Sequence, residues 1–168
     1  MTEENLKRGG RMLLLLAVQI LVLNHIHIAG YITPLLIGYM LLCFRHGSSR
    51  VGLLLWGFLT GVLFDVFSNT AGMASAACTL LAMMQPGVLD LFTPRDSSEG
   101  FIPTMRGMGP GKYFLYALLS MSVLHTVFYA LDAFTLRNGW LTLLSIVGST
   151  LVATALSVCL EMLIRRKP

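Results

Sequence analysis

Residues 51–69 read VGLLLWGFLTGVLFDVFSN, a run long and apolar enough to enter a bilayer as a helix. Its one charged side chain is Asp65. Gly57, Gly61 and Asp65 recur at intervals of four and share a face, so two positions without side chains lead up to an acid. An ionised carboxylate at a bilayer centre costs about 3 kcal/mol on insertion scales. The face is therefore expected to look into a bundle interior or a wet cavity, with the glycines letting a neighbouring backbone come close enough to cover it. The plainer alternative is a packing face whose acid sits near enough to the interface to stay hydrated.

The rest of the chain has the same character. Of 168 residues, 55% are hydrophobic and 12% charged, with a mean hydropathy of +0.75. A soluble domain carries about twice that charge, and here the charges sit between long apolar blocks. The net charge of +4 forms no basic stripe interleaved with aromatics, which argues against nucleic acid as a partner. Six blocks stand out, at about 12–29, 31–44, 51–68, 71–92, 113–136 and 139–164. Five are long enough to span. The second, with Pro34 in what would be its first turn, is either a short span or a re-entrant segment.

The basic residues bear on that choice. If all six blocks cross, Lys7, Arg8, Arg11, Arg45, Arg50, Arg95, Arg106, Lys112, Arg165, Arg166 and Lys167 fall on one side and Arg137 alone on the other. If the second block does not cross, the split is four against eight, with the majority outside. The positive-inside rule favours six helices with both termini cytoplasmic. The expected fold is an all-α integral membrane protein, a compact six-helix transmembrane bundle in one domain over 1–168. The N-terminal apolar run is expected to stay as a first helix, since a cut after Ala29 would place His27 where signal cleavage wants a small residue.

Smaller features follow along the chain. His25 and His27, two apart, point to different faces of a helix and have no third ligand at matching spacing, so they read as interfacial histidines and no metal is expected. Cys43, Cys78 and Cys159 show no paired spacing. Ser68-Asn69-Thr70-Ala71-Gly72 allows only a tight outer hairpin, and the small residues from Ala71 to Cys78 suit close packing on the Gly57–Gly61 face, so the third and fourth helices should be the tightest pair. Pro86-Gly87 is expected to interrupt and kink the fourth. The cytoplasmic loop 93–112, with Pro94, Pro103 and Pro110, suits a surface contact slightly better than a disordered linker.

On the fifth block Ser122, His125, Tyr129 and Asp132 share a face. Asp132 and Asp65 should both lean outward and would line one cavity. A His and an Asp seven apart lack a nucleophile or metal set to join them, so inter-helix hydrogen bonding is the expected role and no catalytic residue is assigned. Thr150, Thr154, Ser157 and Glu161 share a face of the sixth block, with Glu161 one turn from Arg165 and suited to an ion pair there. The Arg165-Arg166-Lys167 tail would favour anionic membrane lipid.

Gly61-x-x-x-Asp65, continuing through Val66-Phe67-Ser68 to Gly72 and the small-residue start of the next helix, resembles the bacterial rod shape-determining MreD family. Six short helices in about 160 residues, cytoplasmic ends, and His125 with Asp132 on the fifth helix look like one branch of it. The resemblance implies a non-enzymatic inner-membrane subunit of the cell-elongation machinery, without cofactors. Its partner would be the bitopic protein MreC and, through MreC, the MreB filaments, RodA and a class B penicillin-binding protein. It also implies the fold of the substrate-binding S-components of energy-coupling-factor vitamin transporters, which supplies a second reading. Against that reading, S-components commonly carry Ala-x-x-x-Ala on the first helix, and here Ala17-Val18-Gln19-Ile20-Leu21 lacks the second alanine. An enzyme acting on lipid-linked cell-wall precursors would need a second half to its acid/base set that the sequence does not offer.

Overall fold

The computed structural model describes residue 10 and residues 14–19, 33–70, 72–93, 100–133 and 139–164. His25, His27, Arg95, Arg137 and the Arg165–Lys167 tail lie outside these residues. The described chain is all-helical and contains no strand. Residues 14–19 are helical. There follow α1 (Gly38–Leu42), α2 (Arg50–Ser68), α3 (Met73–Phe92), α4 (Met105–Met108), α5 (Pro110–Asp132) and α6 (Gly139–Ile164). Four of these, α2, α3, α5 and α6, are long and apolar enough to cross a membrane.

The surface chemistry agrees with lipid as the solvent. The buried face of α6 carries Ser145, Ser149, Thr150, Ala153, Thr154, Ser157 and Glu161, whereas Trp140, Leu143, Leu144, Val147 and Leu151 are exposed. In water that arrangement would hide the polar groups and display the apolar ones, the reverse of what the hydrophobic effect drives. In a bilayer it is favourable, because lipid tails accept the aliphatic face while small hydroxyl residues allow close helix approach. The Thr154 and Ser157 hydroxyls donate back to the Thr150 and Ala153 carbonyls at 2.7 Å each, which satisfies them within their own helix.

The helices pack in the order α2, α3, α5, α6, with α1 set mainly against α3 and α5. The α2–α3 pair makes the most extensive contact, as the short 69–72 connection predicts. Asn69 ends α2 in the left-handed region at φ 55 and Gly72 opens α3 at φ 82, the two reversals that so short a turn needs. Pro86 sits inside α3 without ending it: one helix runs through to Phe92, where the sequence predicts an interruption. Its neighbour Gln85 is buried and donates to the Tyr116 hydroxyl at 2.9 Å, tying this part of α3 to α5.

Two further segments differ from expectation. Helix α5 begins at Pro110 rather than at residue 113, because proline at the first helical position loses nothing by lacking an N–H. The second apolar block is not a helix over 31–44. Among its described residues only Gly38–Leu42 is α-helical, and residues 33–35 carry no regular structure. Pro34 pushes Thr33 out of the helical region, and the freed backbone groups find side-chain partners instead. The described part of the long loop packs on the bundle: Phe101 and Met105 sit against the core, and Met108 is buried.

Candidate functional site

Two polar centres hold the bundle, one at each place where a helix begins or fails to form. The first is Asp65. Its Oδ1 accepts from the Thr70 hydroxyl at 2.6 Å and from the Ala74 N–H at 2.9 Å, and its Oδ2 accepts from the Ser75 N–H at 2.8 Å. Ala74 and Ser75 are the second and third residues of α3, whose own N-cap is Gly72 and has no side chain to offer. The carboxylate of one helix thus caps the next, satisfying two orphan amides and placing negative charge at the positive end of the helix dipole.

Gly61 makes that reach possible. A Cβ there would lie 2.3 Å from the Ser75 Cα and 2.6 Å from the Ala74 carbonyl oxygen, so α3 starts against bare α2 backbone. One turn earlier, a Cβ on Gly57 would meet the Ala82 Cβ at 2.8 Å and the Cys78 carbonyl oxygen at 2.9 Å. Gly57, Gly61, Asp65 and Gly72 therefore belong to one hairpin. Replacing Asp65 by alanine should cost about 2 kcal/mol, the upper range for a lost cap, while asparagine, which keeps one acceptor oxygen, should cost less. Thermal unfolding of the two variants in detergent micelles checks the ranking.

The second centre surrounds residues 33–36. The Leu35 N–H donates to His125 Nε2 at 3.1 Å, and His125 Nδ1 lies 2.8 Å from the Met121 carbonyl. A backbone N–H can only donate and a carbonyl can only accept, so the ring is neutral with its proton on Nδ1. The Tyr129 hydroxyl accepts from the Thr33 N–H at 3.1 Å and pairs with the Ser149 hydroxyl at 2.8 Å, linking this segment to α5 and α6. From the other side Gln19 closes the clasp, its amide nitrogen donating to the Pro34 carbonyl at 2.9 Å and its oxygen accepting from the Leu36 N–H at 2.8 Å. Irregular backbone at membrane depth is tolerated only where protein groups satisfy it. These three side chains do so.

The polar face read along the fifth block divides accordingly. His125 and Tyr129 are buried and stacked, with ring centres 6.4 Å apart, whereas Ser122 is half-buried and Asp132 is exposed at the end of α5. Asp65 and Asp132 do not line a common cavity: α2 and α5 are not a packed pair, and α3 lies between them. Glu161, expected at the interface, is buried, and its Oε2 accepts from the Tyr39 hydroxyl at 2.9 Å. Its pairing with Arg165 lies outside the described residues.

The roles of Gln19 and Ser149 and the Tyr39–Glu161 and Gln85–Tyr116 bonds have no spacing signal along the chain. Gln19 alone is marked by composition, as a lone glutamine in the run LLLLAVQILVL, since an amide in hydrocarbon needs partners as much as an imidazole does. Among the described residues no three His, Cys, Asp or Glu side chains converge to hold a metal ion. Comparison with known protein families, with curated proteins and with solved structures gives no match.

Proposed function

We propose that this chain is a non-enzymatic, MreD-like subunit of the bacterial inner membrane that binds MreC and supports sidewall peptidoglycan synthesis as part of the cell-elongation complex. In this reading the chain crosses six times with both termini cytoplasmic. Its second crossing consists of the clasped segment and α1, and the eleven-to-one split of basic residues supports that count. The observation that carries the reading is the Asp65 hairpin. The Gly-x-x-x-Asp motif behind the family resemblance serves as a backbone clamp, with both carboxylate oxygens committed to the start of α3. His125, Tyr129 and Gln19 are likewise committed to backbone, which suits a rigid intramembrane platform for a partner helix.

The test is affinity purification of the tagged chain from native membranes, with mass spectrometry of what accompanies it. The expected result is recovery of a bitopic MreC-like protein together with cell-wall synthases, reduced for Asp65→Ala and less reduced for Asp65→Asn. Recovery of ATPases and a large transmembrane transporter subunit would replace this reading with that of an S-component.

A further inference from the structure

The glycines inside α2 and α3 differ in what lies over them. Gly57 and Gly61 face α3 so closely that a Cβ on either would meet atoms of that helix at 2.8 and 2.3 Å. Gly87, inside α3, is the opposite case: it is exposed, and a Cβ there would meet nothing within 4 Å. No packing among the described residues needs bare backbone at this point. Nor does Pro86, because a proline ring crowds the residue before it and the preceding turn, not the residue after it. Glycine is a poor helix former beside alanine, so Gly87 weakens α3 with no contact of the described bundle to offset the loss.

Leu80, Met83, Gly87 and Leu91 follow one another along α3 at spacings of three and four, and all are exposed. Ala77, Leu81, Gln85 and Leu89 are the buried side of the same helix. Lipid alone would cover an apolar stripe of this kind, as it covers the outer faces of α2 and α6. The α3 stripe, however, ends in a carboxylate, and neither α2 nor α6 has an exposed acid. Asp90 stands in the last turn of α3 and is exposed. His46 Nε2 lies 2.8 Å from its Oδ1, and its Oδ2 has no hydrogen-bond partner among the described residues. The C-terminal end of a helix is the negative end of its dipole, where a cation is favoured and an acid is not. Apolar side chains, a bare point among them and an acid at one end together fit a helix that comes close at Gly87 and brings a cation to Asp90.

We propose that this face of α3 seats the transmembrane helix of a single-span partner, which crosses α3 at Gly87 and pairs a lysine or arginine at its cytoplasmic end with Asp90. Single-span proteins carry such cations beside the cytoplasmic end of the span under the positive-inside rule. In the six-crossing topology Asp90 lies at that end, with Arg50 and Lys112. This docking face rests on the platform reading above and names the surface the partner uses. Because Asp65 clamps the far end of the same helix, loss of the clamp would also shift the docking face.

The test uses the full chain in native membranes, with a photo-crosslinking amino acid placed at Met83 or Leu91 on α3, at Leu59 on α2 or at Val147 on α6, all exposed positions. Met83 and Leu91 should capture a single-span protein, with the crosslinked peptide mapping to its transmembrane segment, and Leu59 and Val147 should not. Gly87→Leu should unfold at or above the wild-type temperature, since its side chain enters open space, yet lower recovery of that protein about tenfold. Asp90→Lys should lower recovery as well, and changing the partner's cytoplasmic-end cation to aspartate should restore it, which a purely structural role of Asp90 beside His46 would not allow. Crosslinks to the single-span protein from α2 or α6 alone, or wild-type recovery by both Gly87→Leu and Asp90→Lys, would overturn the docking face and leave the platform reading standing. Absence of a single-span protein from all four positions and from affinity purification would remove the platform reading and the docking face with it.

Discussion

Gly61→Ala is expected to force α2 and α3 apart at the point where they lie closest. The added Cβ would sit 2.3 Å from the Ser75 Cα and 2.6 Å from both the Ser75 nitrogen and the Ala74 carbonyl oxygen. All three are backbone atoms, so no side chain can turn aside and a helix must move. The shift would draw the Ala74 and Ser75 amides away from Asp65, whose bonds to them are 2.9 and 2.8 Å long. Overpacking costs about 1–3 kcal/mol and occasionally more, and the partly lost cap adds to it. Alanine's better helix propensity returns up to about 1 kcal/mol, which leaves a net loss of about 3 kcal/mol. Gly57→Ala should lose less, because one of its two nearest contacts is the small Ala82 side chain. Unfolding of both variants in detergent micelles, followed by circular dichroism, checks the order. Equal stabilities would mean that the α2–α3 approach is looser than the structure has it.

The other large effect is expected at His125, which is fully buried. Alanine there removes the acceptor of the Leu35 N–H and leaves a ring-sized void beneath Tyr129. An unsatisfied buried amide costs about 1–3 kcal/mol, and a large-to-small core substitution adds a cavity term. The combined loss should be about 4 kcal/mol, lowering Tm by about 10 °C for a chain of this size. Glutamine, whose amide oxygen can accept from Leu35, should recover part of it. A wild-type Tm for His125→Ala would show that the imidazole holds nothing.

The elements legible in the sequence were those whose signal is local. Apolar length and bounding charges located α2, α3, α5 and α6 to within a few residues, and glycines at intervals of four before an acid identified the closest helix pair. Pairings across long sequence distance were not legible. Gln19 meets Pro34 and Leu36, His125 meets Leu35 across 90 residues, and Tyr39 meets Glu161 across 122. No periodicity within one helix encodes a partner on another. The second apolar block shows how this changes the local answer. Its composition suits a helix throughout, but Pro34 removes one donor, and distant side chains satisfy the neighbouring amides well enough for the chain to stay unwound before Gly38. Likewise, Asp132 shares a helical face with His125 and Tyr129, but α5 carries it beyond the packed interior, where lying on a common face no longer means facing the same neighbours.

The polar side chains inside the bundle hold backbone that no helix satisfies. Hydrogen–deuterium exchange at the Leu35 amide, compared between wild-type protein and His125→Ala in lipid nanodiscs, tests it most directly. Exchange should be slow in the wild type, as for a buried bonded amide, and much faster in the variant, with the α3 amides at Ala74 and Ser75 unchanged. Fast exchange at Leu35 in wild-type protein, or no difference between the two, would contradict it.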